Sequence, residues 1–226
     1  MMVRSRLCSI VQSIVSVQAR IRLRLRGVRL PMEAGGWSIG YDDALLLERE
    51  LDRFAQRTRI SVLEFGSGLS TFVILSKLEA SFTGSYRFLS VEGDGRWHKK
   101  MRQQVGEAYP SIGPGFELLE VGYVCEEGMQ TFDLTRVRNA IEGGGFDLIL
   151  VDAPPDTNGE DVRLNLCLAA RSMLNPKGVL MLHDTNRINE LNAFQKIQEG
   201  FAMSQRIETQ KGMGIFRFPG RPAGHG

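Results

Sequence analysis

Apolar residues along the chain form two alternating patterns, short continuous runs and longer amphipathic stretches. The continuous runs are typical of buried strands, and the amphipathic stretches repeat at the spacing of a helix. We predict strands at 60–65, 86–91, 116–124, 146–152 and 179–182. We predict helices at 42–57, 70–78, 96–108, 161–174 and 188–198. Strands that alternate with helices predict βαβ units, and therefore an α/β fold with a parallel sheet.

The C-terminal part of the chain breaks this alternation. Two further runs, 201–208 and 214–218, flank Lys211-Gly212 and predict an antiparallel hairpin. Before them, Asn175-Pro176-Lys177-Gly178 is expected to turn the chain into the fifth strand. The sheet is therefore expected to be mostly parallel with an antiparallel pair at its C-terminal side.

Polar residues collect where the predicted strands end. The four clusters lie at 64–68, 92–94, 152–156 and 183–187, the last of which reads His-Asp-Thr-Asn-Arg. In an open parallel sheet the ligand binds beyond the carboxyl ends of the strands. We therefore expect the four clusters to converge on one site.

The first cluster lies in the stretch VLEFGSGLST, which predicts a strand, a glycine turn and a helix start. Gly66 and Gly68 would let the backbone turn sharply near a ligand, and the following helix would offer free amides. Thr71 stands where a dinucleotide fingerprint has its third glycine, and Glu64 suits a ligand with an ammonium group. Glu92, at the end of the second strand, is placed to bind a ribose diol.

These residues resemble the first motif of class I S-adenosylmethionine-dependent methyltransferases, in which an acid and a glycine turn hold the methionine part of the cofactor. Glu92 matches the acid that binds the adenosine ribose in that family. The resemblance implies a Rossmann-like, doubly wound, mostly parallel seven-stranded sheet and S-adenosyl-L-methionine as cofactor. The cofactor-binding residues implied are Glu64, Gly66, Ser67, Gly68, Ser70, Thr71, Glu92, Gly93 and Asp152.

The second half of the chain has a narrower likeness. FDLILVDAPP, the downstream Arg163 and LHDTNR resemble sugar-modifying methyltransferases of the plant glucuronoxylan O-methyltransferase type, and bacterial relatives linked to surface polysaccharides. The resemblance implies that the methyl acceptor is a hydroxyl on a sugar, a glycan or another small molecule.

Methyl transfer to an alcohol requires a base near the hydroxyl and an in-line approach to the methyl carbon. The candidates for the base are Asp184, His183 and Asp152, with Asp184 or His183 favoured over Asp152. Alternatively, Asp152 and Asp184 would hold a divalent metal ion that lowers the pKa of the alcohol. Thr185 interrupts the Asp-Asn pair of the metal-dependent catechol-type members, so the pattern favours a site without metal.

Other side chains near these motifs admit two interpretations. Arg163 and Arg187 would bind an anionic substrate, or would form ordinary ion pairs with acids such as Glu190. Trp37 and Trp97 would stack on a sugar ring or on adenine, with Trp37 the better candidate for a substrate lid, or would serve only in packing.

Composition narrows the class of protein. With 42% apolar and 24% charged residues, the 226-residue chain fits one soluble domain. Its longest apolar runs are far shorter than the roughly 20 residues of a membrane span. Its three cysteines are scattered without CxxC spacing, which predicts a reducing, cytoplasmic location.

The N-terminal segment is chemically distinct from the rest. Residues 1–32 contain seven arginines and no acid, which leaves 21 basic residues against 26 acidic ones in the body. Such a segment fits a targeting peptide, a helix on anionic lipid or on a partner, or a helix over 7–17 packed on the domain. The alternation in IRLRLR suits an extended strand, and an acidic body argues against nucleic-acid binding.

We therefore predict a leader with a lid at 1–40, a methyltransferase domain at 41–219 and a disordered tail at 220–226. Two rivals remain, a nicotinamide-dependent oxidoreductase and a non-catalytic methyltransferase-like domain that binds a partner. DNA methylation is set aside, because VDAPPD lacks the Asp-Pro-Pro-aromatic order of base-flipping amino methyltransferases.

Overall fold

A computed structural model of the chain describes residues 2–32, 38–126, 129–139, 144–153 and 162–220. Its helices are α1 Met2–Leu25, α2 Tyr41–Asp52, α3 Leu69–Ser81, α4 Gly95–Ala108, α5 Leu134–Asn139, α6 Val162–Arg171 and α7 Ile188–Ile197. Its strands are β1 Arg59–Phe65, β2 Ser85–Glu92, β3 Phe116–Glu120, β4 Tyr123–Glu126, β5 Met129–Phe132, β6 Phe146–Val151, β7 Leu174–His183, β8 Met203–Ile207 and β9 Met213–Arg217.

Seven of these strands form one sheet in the order β3-β2-β1-β6-β7-β9-β8. The pairs from β3 to β7 are parallel, and β9 pairs antiparallel with both β7 and β8. The predicted Rossmann-like, doubly wound sheet with a C-terminal antiparallel pair is therefore confirmed. Strand order reverses between β1 and β6, which opens a crevice at their carboxyl ends.

The central strands are buried on both faces, because successive side chains point to opposite sides of a sheet. Leu148 and Leu150 of β6 join the core that α1 to α4 cover. Ile149 and Val151 of the same strand join the core that α6 and α7 cover. This is why β1, β6 and β7 appear in the sequence as continuous apolar runs.

The extended conformation expected for IRLRLR is wrong, because α1 continues through it to Leu25. Ala19 and Leu23, four residues apart, are both buried, and α1 packs against α2. α1 therefore packs on the domain through the one helical face that carries Ala19 and Leu23. The arginines between these two residues in the sequence do not have to lie on a buried face.

Several other predicted boundaries change. The third predicted strand divides into β3 and β4, and β4 pairs with β5 in a separate two-stranded sheet. The predicted turn at 175–178 lies within β7, where Lys177 has a φ of 64° and the register with β6 shifts. Predicted helix 161–174 ends earlier, at Arg171.

Several predictions fall outside the described residues, namely the Trp37 lid, residues 154–156 of the third polar cluster and the tail from 221 onward. Among the described helices, α1 included, none has a stretch apolar enough and long enough to cross a membrane.

Candidate active site

The glycine turn after β1 depends on Gly66. This residue has a φ of 93°, and a Cβ there would lie 2.3 Å from the carbonyl oxygen of Asp152. Its amide donates to the carbonyl of Val91 at 2.8 Å, so the turn is fixed between neighbouring strands. Gly68, in contrast, has an extended φ of 177° and only Ser38 Oγ, at 4.0 Å, near its missing Cβ. The expected sharp turn therefore requires Gly66 and not Gly68.

We expect Gly66→Ala to destabilise the fold by about 1 to 3 kcal/mol, because it combines a left-handed backbone with a clash against main chain. Gly68→Ala is the matched control and should change the free energy of unfolding by much less. Urea unfolding of both variants measures the difference, and equal losses would contradict this account of the turn.

Glu64 lies fully buried beneath this turn. Its Oε2 accepts hydrogen bonds from Thr71 Oγ1 at 2.6 Å and Ser90 Oγ at 2.7 Å. Its Oε1 has no hydrogen-bond partner among the residues that the structure describes. Burial raises the pKa of Glu64 to about 7, although the nearby hydroxyls of Ser70, Thr71 and Ser90 oppose the rise. An approaching cation would pair with the open oxygen and favour the ionised form.

Of two other predicted cofactor residues, Thr71 and Ser70, Thr71 holds the turn in place. Thr71 Oγ1 accepts from the Gly68 amide at 3.0 Å while donating to Glu64, so this hydroxyl is already engaged. Ser70 is also buried, and its hydroxyl makes no hydrogen bond of ordinary geometry to a described residue. The amide of Gly68, expected to be free for a ligand, is therefore satisfied within the protein.

Glu92 closes the other side of the crevice. Its Oε2 accepts from the amide and the hydroxyl of Ser67, at 3.1 and 2.6 Å. Its Oε1 accepts from the Asp94 amide at 2.9 Å, and the Trp97 indole donates to the Ser67 carbonyl at 2.8 Å. The carboxylate that was expected to bind a ribose is thus held rigidly at the end of β2. Trp97 supports this arrangement through its indole nitrogen.

Sequence reasoning missed Tyr123, which covers Gly93. A Cβ at Gly93 would lie 2.4 Å from the Tyr123 ring, so glycine is what allows the ring to pack there. The ring stacks on Phe132 with centroids 4.7 Å apart. The hydroxyl is buried without a described hydrogen-bond partner, and burial, with Glu92 nearby, raises the Tyr123 pKa. Tyr123 begins β4, but the sequence pattern placed it in the third predicted strand, 116–124, and β5 was not predicted.

Asp152, His183 and Asp184 meet at the ends of the neighbouring strands β6 and β7. His183 Nδ1 donates to Asp152 Oδ1 at 2.7 Å and lies 3.8 Å from Asp184 Oδ1. Consecutive strand residues normally point to opposite faces. Asp184 has a φ of 63°, so the backbone leaves the strand there and both side chains reach one cluster.

His183 is fully buried between two carboxylates. Its Nε2 lies 3.5 Å from Oδ2 of Asp43, a residue of α2 that was not among the predicted site residues. Burial alone would lower the imidazole pKa, but Asp152 and Asp43 outweigh it and raise the pKa of His183 to about 9. His183 therefore carries a proton at neutral pH and acts as a hydrogen-bond donor, which argues against it as the base.

Arg163 contacts both backbone carbonyls and carboxylates of this cluster. It is buried and donates through Nε to the Ala153 carbonyl at 2.6 Å and through Nη1 to the His183 carbonyl at 2.9 Å. Its guanidinium also lies 3.3 Å from Asp152 Oδ1 and 3.1 Å from Asp184 Oδ2. Arg163 is therefore internally paired and is not available to grip a substrate.

Arg187 approaches the cluster from outside. Its Nη1 lies 3.2 Å from Asp184 Oδ2, and its side chain is 39% exposed. It also lies 3.6 Å from Glu190, so the predicted ion pair with that acid forms. Of Arg163 and Arg187, Arg187 is therefore the one that faces solvent, at the rim of the site.

Asp152 and Asp184, the predicted metal ligands, already have a positively charged partner in Arg163. One ligand atom from each of Asp152, His183 and Asp184 lies within 4.8 Å of the others. However, Arg163 is within ion-pair distance of both carboxylates, and His183 holds its proton toward Asp152. A divalent cation would have to displace two positive groups, so the donor set does not fit one.

Comparisons with known proteins agree with this architecture. The methyltransferase from Pyrococcus furiosus has a TM-score of 0.56 and 19% identity, covering 93% of this chain and 99% of its own. An O-methyltransferase from Bacillus cereus, solved with S-adenosylhomocysteine, has a TM-score of 0.57 and 13% identity, with coverages of 92% and 97%.

A third similar structure is TomG from Streptomyces achromogenes, an O-methyltransferase involved in tomaymycin synthesis that was solved with S-adenosylmethionine. It has a TM-score of 0.56 and 15% identity, covering 81% of this chain and 82% of its own. At these identities the three structures share a fold with this chain. A search of curated proteins found no match.

The comparison with protein families gives the assignment. A family model described as a methyltransferase domain matches residues 63–185, more than half of the chain. The matched region runs from the strand that carries Glu64 to the cluster at the end of β7. The chain belongs to this methyltransferase domain family.

Proposed function

We propose that the chain transfers the methyl group of S-adenosyl-L-methionine to a hydroxyl on a sugar, a glycan or another small molecule. The observation that carries the proposal is buried Glu64, whose Oε1 has no hydrogen-bond partner of ordinary geometry among the described residues and so leaves a carboxylate oxygen open beneath the glycine turn. The turn follows β1, and β6 lies between β1 and β7 in the sheet. Asp184 comes directly after β7.

The crevice residues fit the cofactor in three respects. Glu64 Oε1 is a partner for its ammonium group, and Gly66 lets the turn beside this oxygen pack closely against the Asp152 main chain. Glu92 is held by Ser67 and Asp94 with its carboxylate fixed, and carboxylate oxygens accept from a ribose diol. Such a cofactor supplies a methyl group on a positively charged sulfur.

Asp184 is the residue to which we assign the acceptor's proton. Both arginines approach its Oδ2, and no described residue donates a hydrogen bond to its Oδ1. With the methyl group supplied by bound S-adenosylmethionine, Oδ1 of Asp184 would take the proton that the acceptor hydroxyl loses. His183 and Arg163 hold Asp152 and the β7 end in position, so the base is oriented before the acceptor binds.

The acceptor class is supported by the second-half motifs. Asp152, Arg163 and Asp184, which carry the likeness to sugar O-methyltransferases, contact one another in the folded chain. Arg187 at the rim offers a partly exposed cation that suits an acidic sugar such as a uronate. A hydroxyl beside that carboxylate would be within reach of Asp184.

The affinity for S-adenosylhomocysteine is expected to depend on pH through Glu64. Because the pKa of Glu64 is raised to about 7, the ionised form that pairs with an ammonium is a minority at pH 6. Affinity should therefore fall roughly eightfold from pH 7.5 to pH 6. Calorimetric titration measures this, and Glu64→Gln should bind more weakly with no such slope. An identical slope in that variant would assign the titration to another group.

The acceptor is tested with labelled S-adenosylmethionine. Uronic acid sugars, neutral sugars, phenols and primary amines are offered to the enzyme with and without a chelator. We expect label in hydroxyl acceptors, most of all uronates, and no effect of the chelator. Label only in amines would overturn the O-methyltransferase proposal, and loss of turnover with chelator would restore the metal site.

A further inference from the structure

The helix α1 has two contrasting faces. On one, Ala19 and Leu23 are 3% and 0% exposed and belong to the core beside α2. On the other, a row of apolar side chains is open to solvent: Ile14 is 52% exposed, Val17 57%, Ile21 51% and Leu25 82%. Their spacing of three and four residues places them on one face, which we call the outer stripe.

Arginines lie on both sides of the outer stripe. Successive helical residues are about 100° apart, so Arg22 and Arg24 fall on opposite flanks of Ile21. Both are exposed, and neither side chain has an ion pair or hydrogen bond to any residue that the structure describes. Arg26, by comparison, pairs with Glu48 and Asp52 of α2. The charges beside the stripe are thus left open to solvent while others in the segment fasten it to the domain.

The charge of the segment decides between possible occupants of this face. A second copy of α1 would bring arginines against arginines, because residues 1–32 contain no acid. Anionic lipid offers an acyl boundary for the apolar side chains of the outer stripe and phosphates for the guanidinium groups of the arginines.

We propose that α1 lies in the surface of an anionic membrane, with the outer stripe in the boundary between headgroups and acyl chains and with Arg22 and Arg24 on lipid phosphates. The opposite face, through Ala19 and Leu23, keeps the methyltransferase domain attached to the bound helix. The chain is thereby a peripheral membrane protein whose attachment does not depend on its cofactor.

Vesicle co-sedimentation of the full chain tests this attachment. The chain should sediment with phosphatidylglycerol vesicles and not with phosphatidylcholine vesicles, and high salt should release it. Arg22→Gln with Arg24→Gln should weaken binding roughly thirtyfold, from about 1 kcal/mol for each arginine at the surface. Ile21→Ser with Leu25→Ser should abolish sedimentation.

Matched controls separate this surface from general charge and hydrophobicity. Arg102→Gln with Arg136→Gln removes the same charge elsewhere, and Leu168→Ser removes an apolar side chain that is also 52% exposed. Both should sediment like the unmodified chain. Equal losses in these controls, or unchanged binding in the α1 variants, would overturn the proposal. So would a dimer in light scattering that the α1 variants dissociate, with no vesicle binding.

Discussion

Replacing Asp184 with asparagine is expected to lower the rate of methyl transfer by roughly a hundredfold to ten-thousandfold, the usual contribution of a positioned base. The amide keeps the size of the side chain but cannot accept the hydroxyl proton as a carboxylate does. Affinity for S-adenosylhomocysteine should be unchanged, because Glu64 and Glu92, the residues proposed to bind the cofactor, lie on other strands. Single-turnover transfer and calorimetry together measure the two quantities.

Asp147 provides a matched control for this substitution. It is also a buried carboxylate paired with an arginine, accepting from Arg57 at 2.5 Å and from the Ser61 amide at 2.9 Å. It belongs to the opposite end of β6, away from the strand ends that form the site. Asp147→Asn should therefore lower stability while leaving the transfer rate intact. A transfer rate unchanged in Asp184→Asn would show that another group takes the proton.

Replacing Arg163 with methionine should have the largest effect on folding. The substitution leaves Asp152 and Asp184 as buried carboxylates without their shared guanidinium, and it removes donors from the carbonyls of Ala153 and His183. Breaking a buried ion pair from one side costs about 3 to 5 kcal/mol. Urea unfolding monitored by circular dichroism measures the loss.

Arg187→Met is the comparison for that loss. Arg187 lies at nearly the same distance from Asp184 Oδ2 as Arg163 does, but its side chain is 39% exposed. Exposed ion pairs contribute about 0 to 1 kcal/mol, so this variant should remain close to the unmodified chain in stability. Similar losses in the free energy of unfolding in both arginine variants would contradict the view that Arg163 stabilises the site through buried ion pairs.

Local pattern was sufficient to predict the sheet and the positions of the polar strand ends that form the candidate site. The β1, β6 and β7 runs are apolar because both faces of these strands are buried, and polar residues follow where the strands end. The glycine turn was also predictable, because Gly66 has a backbone conformation that other residues rarely adopt.

Contacts between distant parts of the chain could not be predicted in this way. Asp43 reaches His183 across 140 positions of sequence, and in the local pattern it is only an acid in the first turn of a helix. Arg163 appears as one arginine on an amphipathic helix, and only the packing of α6 against β6 and β7 shows that it is buried between two carboxylates. The roles of both residues depend on tertiary contacts that have no periodic signal.

The central claim, a methyltransferase that uses S-adenosylmethionine, is tested most directly by calorimetric titration of the full chain with S-adenosylhomocysteine and, separately, with NAD. We predict saturable binding of S-adenosylhomocysteine in the micromolar range, weakened by Glu64→Ala, and no binding of NAD. Binding of NAD without binding of S-adenosylhomocysteine would contradict the claim.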